Sequence, residues 1–245
     1  MSPSRPYSLY FEGPDATHVE FTLIASDSGL FGKPVKSSEV AVGPGERYEA
    51  VVDFSSYKGK TITLMNAHID DIDEYENTNK VMKFVIGSSV SDASNNGEVP
   101  QTLNSAVMFP EQISTVAHTF EFQDGGDADW TINGIAFSDV NNRVLARPPL
   151  GMCVSQRTDV VSPLWRFTMY ANTLRSDLTG TVERWRLVHD GGDGVHPVHV
   201  HLVSFQVVSR TAGDRGLQPY ESAGLKDVVL LEQDETVEVL AYYGE

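Results

Sequence analysis

Short runs of β-forming residues, broken every few positions by Gly, Pro, Asn, Asp or Ser, constrain this chain more than any other feature. Ser8-Leu9-Tyr10-Phe11, Val19 through Ile24 and Ser38 through Val42 come first, and Pro44-Gly45 then turns the chain. Arg47 through Phe54, Thr61 through Met65 and Lys80 through Ile86 follow. A polar stretch at 87–105, rich in Ser, Asn and Gly, reads as a linker or long loop. Strand patterning resumes with His118 through Phe122, Trp130 through Gly134, Val182 through Val188, His199 through Val208 and Thr236 through Leu240. Helical periodicity is not evident over any long window, and no solenoid repeat is found. Strands at this spacing predict an all-β chain built of sandwiches. Residues 1–95 are read as one domain, 96–110 as a linker and 111–245 as a second domain.

Charge narrows the partners. The 245 residues carry 34 Asp and Glu against 18 Lys and Arg, a formal net charge of −16. Nothing in such a chain would neutralise phosphates, so nucleic acid is excluded as a partner. No stretch approaches the length of a transmembrane helix, and no membrane partner is expected. The one cysteine, Cys153, excludes a disulfide framework within the chain. Met1 through Tyr7 lacks the apolar run of a signal peptide. The acidic run Asp70 through Glu76 lacks the spaced ligands and central glycine of a calcium loop and reads as a solvated loop.

The chemistry concentrates in His196-Pro197-Val198-His199-Val200-His201. Pro197 cannot donate to a sheet ladder and suits the start of a strand. From Val198 onward, alternation puts His199 and His201 on one face. His196 lies three positions earlier and falls on the other face or in the loop. One short segment can therefore serve two metal centres, a cluster on one side and a separate ion on the other. Neutral imidazole is a good ligand for copper, zinc, iron and nickel. His18, His68, His118 and His189 have no partner at ligand spacing and read as structural or exposed.

HPxHxH followed by Leu202 through Val207 resembles the third cupredoxin-type domain of multicopper oxidases, in the bilirubin-oxidase-like branch that includes spore-coat laccases. Glu46 through Phe54 and Asn77 through Phe84 are similar to that branch's second domain. Trp130-Thr131-Ile132-Asn133 and Asn142 through Ala146 are similar to the start of its third, and Pro219-Tyr220-Glu221 and Gly224 through Val229 to the segment after the histidines. The resemblance implies cupredoxin-like Greek-key β-sandwiches in two domains, the second incomplete. It implies copper as cofactor, with His196 a ligand of the type 1 copper, His199 of the type 2 copper and His201 of one type 3 copper. The implied activity is one-electron oxidation of phenolic or pyrrolic substrates coupled to reduction of dioxygen to water, in an extracellular setting for the full-length protein.

The chain departs from the family pattern in its donor set. No His-Cys-His segment or axial Met follows the histidines, and the paired HxH motifs of the family's first domain are absent. Cys153 precedes the histidines and has no flanking His, so it does not read as the type 1 thiolate. Gly194 stands where bilirubin-oxidising relatives carry Trp. With partial ligand sets, the chain alone is expected to be an inactive, truncated fragment, and apolar side chains of 199–208 are expected to be left uncovered. The alternative is a non-catalytic cupredoxin-type remnant that binds no metal. A cupin-like mononuclear enzyme also uses an HxH strand, but Gln206 stands where its Glu would be and no His follows His201.

Residues 152–180 interrupt the family pattern, which passes from a segment like Arg147 through Gly151 directly to one like Thr181 through Trp185. Gly151-Met152-Cys153 can be encoded with a donor-like GTATGT, and Thr179-Gly180 with an acceptor-like CAG. A retained intron is the favoured reading; a surface insertion, which loops tolerate well, is the other.

Overall fold

A computed structural model describes residues 6–67, 79–89, 98–105, 113–124, 130–136, 181–191, 194–201 and 203–243. The stretch 152–180 with Cys153, the acidic run at 70–76 and His68 lie outside the described residues. Among the described residues the regular structure is β, apart from a single 3-10 turn at Ser55–Tyr57. No helix among them is long and apolar enough to cross a membrane.

Sixteen strands are described. They are β1 (Tyr7–Glu12), β2 (His18–Val19), β3 (Phe21–Ser26), β4 (Gly29–Ser37), β5 (Glu39–Val42), β6 (Tyr48–Val51), β7 (Thr61–Ala67) and β8 (Lys80–Val85). Then come β9 (Val116–Asp124), β10 (Trp130–Ile132), β11 (Ile135–Ala136), β12 (Thr181–His189), β13 (His196–His199), β14 (Ser204–Thr211), β15 (Val228–Leu231) and β16 (Thr236–Tyr243). The chain divides into two compact units, and the division is not linear. Unit 1 comprises Met1–Met108, Val195–Val200 and Gln218–Leu230; unit 2 comprises the remainder.

Unit 1 has a sheet in the order β2-β1-β7-β8, with β5 also on β1, and a second sheet in the order β4-β3-β6. Alternation explains the packing between them. Phe21, Leu23 and Ala25 of β3 are buried, and Phe11 of β1 meets Phe21 edge to face at 5.6 Å. Val19, Phe31, Val40, Val42, Ile62 and Tyr220 complete this core. Strand β4 was not anticipated from the sequence, because Gly29, Gly32 and Pro34 break its pattern. It sits at a sheet edge, where a missing N–H costs no ladder bond. Strands β13 and β15 pair as a separate two-stranded ribbon.

The β3–β4 hairpin is fastened to residues 223–228. Ser26 Oγ and Ser28 N donate to Leu225 O at 2.9 and 3.2 Å, and Gly32 N to Ala223 O at 3.2 Å. This close approach requires a glycine: a Cβ on Gly224 would lie 2.5 Å from Phe31 Cδ1. Phe31 is fully buried and has little room to yield. Gly224→Ala should therefore cost about 1–3 kcal/mol in urea unfolding, the usual range for overpacking; an unchanged midpoint would refute the tight approach.

Unit 2 has one sheet in the order β11-β10-β9-β12-β16-β14. Strands β9 and β12 run parallel, and β16 pairs antiparallel with both β12 and β14. Trp185, Leu187, Val237 and Val239 are buried in it. Two expectations are corrected here. The run His199 through Val208 is not one strand, since β13 ends at His199 and β14 begins at Ser204. Nor are its apolar side chains uncovered: Val203, Phe205 and Val207 are all buried. Strand β16 extends beyond the Thr236–Leu240 run to Tyr243, and so pairs with β14 from Ser204 to Thr211.

Candidate functional site

His196 and His199 bound strand β13, three positions apart and so on opposite faces by the period of a strand. His196 is half-buried and His199 exposed. Beyond the strand, burial still alternates: Val198 and Val200 are buried, His199 and His201 exposed. His196 and His199 fall in unit 1, and His201 in unit 2. Among the described residues, no group of three His, Cys, Asp or Glu side chains could hold one metal ion.

His199 has a defined tautomer. Its Nδ1 lies 2.9 Å from the backbone oxygen of Asp227. A carbonyl can only accept, so Nδ1 carries the proton and Nε2 carries the lone pair that a metal would need. A ligand histidine typically has its other nitrogen held by a carbonyl or carboxylate in this way. The donor set thus fits copper as a contributor of imidazoles, while no complete ligand set is present among the described residues.

Below Asp227 lies an ionic cluster that was not anticipated from the sequence. Lys226 is fully buried, with Nζ 3.0 Å from Asp27 Oδ2 and 3.2 Å from Glu46 Oε1. It also donates to Tyr48 Oη at 3.0 Å. Burial, and then the Glu46 charge, push the Tyr48 phenol well above its usual range, so it stays protonated and can accept from Lys226. Asp27 belongs to the β3–β4 turn, which places its carboxylate under residues 226–228. Glu46 Oε2 accepts from Gly43 N at 2.6 Å.

Arg47 closes the cluster at the surface, with two 2.7 Å bonds to the Asp227 carboxylate. These bonds, and the charges of Arg47 and Lys226, outweigh burial and hold the Asp227 carboxyl below the usual carboxylate range. The sign follows. A depressed folded value gives stability that is fully present above the unfolded value, near about 4, and lost as pH falls through the folded one. Arg47→Gln should raise the Asp227 titration midpoint, as followed by carboxyl carbon NMR. A midpoint that does not move would show the fork to be ineffective.

The other described histidines have neighbours of their own. His189 is buried, with Nδ1 2.9 Å from Glu232 O, and His118 Nε2 is 3.3 Å from Glu183 Oε2. His18 is exposed and stacks on Tyr10 at 4.2 Å.

Comparison with solved structures gives the class. The chain aligns over 99% of its length with 47% of the McoA multicopper oxidase of Aquifex aeolicus, at a TM-score of 0.71 and 22% identity. Its fold is accordingly cupredoxin-like, of the multicopper oxidase kind. Residues 143–243 match the multicopper oxidase family profile. Over 98% of its length the chain is 41% identical to the bilirubin oxidase of Albifimbria verrucaria, and over 99% it is 25% identical to a laccase of Bacillus stratosphericus. The chain belongs to the multicopper oxidase family. It spans 38% of that bilirubin oxidase and 44% of that laccase.

Proposed function

We propose that this chain supplies part of the copper-binding framework of an oxidase that couples one-electron oxidation of phenolic or pyrrolic substrates to reduction of dioxygen. The observation that carries this reading is the His199 geometry, an exposed imidazole whose Nδ1 is committed to a backbone carbonyl. His196, His199 and His201 are the residues that would hold copper, at type 1, type 2 and type 3 positions respectively. Copper, when bound, would supply the one-electron steps and the site of dioxygen reduction. The chain's own residues orient the imidazoles: the ribbon of β13 and β15 fixes His196 and His199, and Asp227 fixes the His199 ring.

Gly194 takes φ +90°, a left-handed conformation in which a Trp, the residue of bilirubin-oxidising relatives, would be strained.

By itself the 245-residue chain should not turn over, because its seven His and one Cys do not make up the family's ligand sets. Titrated with Cu(II), it should show imidazole nitrogen couplings by electron paramagnetic resonance, lost when His196, His199 and His201 are all replaced by Ala. It should show no intense absorption at the red end of the spectrum and no dioxygen uptake with a phenol, since a blue site needs a thiolate. A blue band lost on Cys153→Ser would contradict this. Absence of any imidazole-bound copper would favour the metal-free remnant instead.

A further inference from the structure

Asp227 is held at every polar group it possesses. Its N–H donates to Asp27 Oδ2 at 3.3 Å, and its carboxylate receives the fork of Arg47. Its carbonyl accepts from Val200 N and His199 Nδ1, each at 2.9 Å. Asp27 is fixed in turn, since its carboxylate also accepts from Arg47 N at 2.7 Å and Val228 N at 3.2 Å and pairs with Lys226. Three stretches far apart in sequence, at 27, 46–48 and 226–228, are thereby locked in one register.

Apolar residues of similar volume could pack such a place as well or better than a buried ion cluster. What the ions add is directional fixing of Asp227, through its N–H and its carboxylate, and Asp227 carries the carbonyl that holds His199. We propose that Asp27, Arg47 and Lys226 are positioning residues for the His199 imidazole, acting through Asp227 to hold the ring as the Nδ1–H tautomer in one orientation, with Nε2 presented to a metal. The metal half of this proposal rests on the reading of His199 as a copper ligand.

The test uses the 15N-labelled 245-residue chain without metal, at a pH well above the ordinary imidazole range of about 6.5. The ring nitrogens of His199, assigned with His199→Gln, should report a protonated Nδ1 and an unprotonated Nε2. Arg47→Gln should move the ring toward the Nε2–H form that solvated imidazole prefers, and Arg47→Lys, which keeps the charge without the fork, should fall between. The Arg47 side chain is 52% exposed, so these variants should retain the wild-type far-ultraviolet circular dichroism. Asp27→Asn tests the buried end, with the same expected shift. Affinity for Cu(II) alone should fall in Arg47→Gln, by up to the about ten- to hundredfold that removing a ligand's own hydrogen-bonding partner costs. Folded variants with an unchanged His199 tautomer would overturn the positioning role. Failure of the ligand reading looks different: His199→Ala would then leave Cu(II) affinity unchanged, while the tautomer shift would still follow Arg47.

Discussion

Replacing Lys226 with Ala should destabilise the chain by about 3–5 kcal/mol, the range found when one member of a buried ion pair is removed. The side chains of Lys226 and Asp27 are 0% exposed and that of Glu46 is 3% exposed, so water cannot take over for the lost ammonium. Two carboxylates would then share a dry site with no cation in contact beyond the Arg47 side chain at the rim, 3.9 Å from Asp27 Oδ1. One of them must take up a proton or the segment must open. That cost is a large part of the stability of an ordinary domain, about 5–15 kcal/mol, so a markedly lower urea midpoint is the expected outcome. Removing the charges together separates charge from packing. Lys226→Met combined with Asp27→Asn and Glu46→Gln should recover most of the loss, because no buried charge is then left alone. If Lys226→Ala unfolds at the wild-type urea concentration, or the triple variant is no better than the single, the cluster is not held together as an ionic unit.

Period-2 alternation located many strands, from Tyr10-Phe11 of β1 to Val237 and Val239 of β16, and passed over β15, which is buried along its whole length. It missed β4, whose glycines and Pro34 are tolerated only because the strand is an edge. It ran β13 and β14 together, since Val200 and Val203 keep the apolar pattern across a break that belongs to the backbone. The placement of residues 195–200 and 218–230 with unit 1 is a matter of long-range contact, which no local pattern reports.

The histidines were visible because their spacing is a local signal. The network beneath them was not, because Asp27, Glu46 and Lys226 are far apart in the chain and each looks like an ordinary surface charge. A trace was present all the same. Glu46-Arg47-Tyr48 and Lys226-Asp227 both lie in segments quoted for the family resemblance, and these segments meet in space through Lys226 and Arg47. Resemblance marked the residues; only the fold gave the reason.

The central claim is that the three histidines of the 196–201 segment go to three different kinds of copper site, and it is best tested where the remaining ligands are present. The bilirubin oxidase of Albifimbria verrucaria, 41% identical over 98% of this chain, supplies the longer chain for that test. In a chimaera carrying residues 194–231 of this chain in place of their counterpart, the copper complement and dioxygen-dependent phenol oxidation should be retained. Single alanines should then separate the sites by spectrum. His196→Ala should remove the blue band, His199→Ala should remove the type 2 resonance, and His201→Ala should remove the near-ultraviolet type 3 absorption, each with a loss of turnover larger than the about ten- to hundredfold that losing a ligand's outer partner costs. A chimaera that keeps its full copper spectrum and its activity with all three histidines replaced would contradict the account.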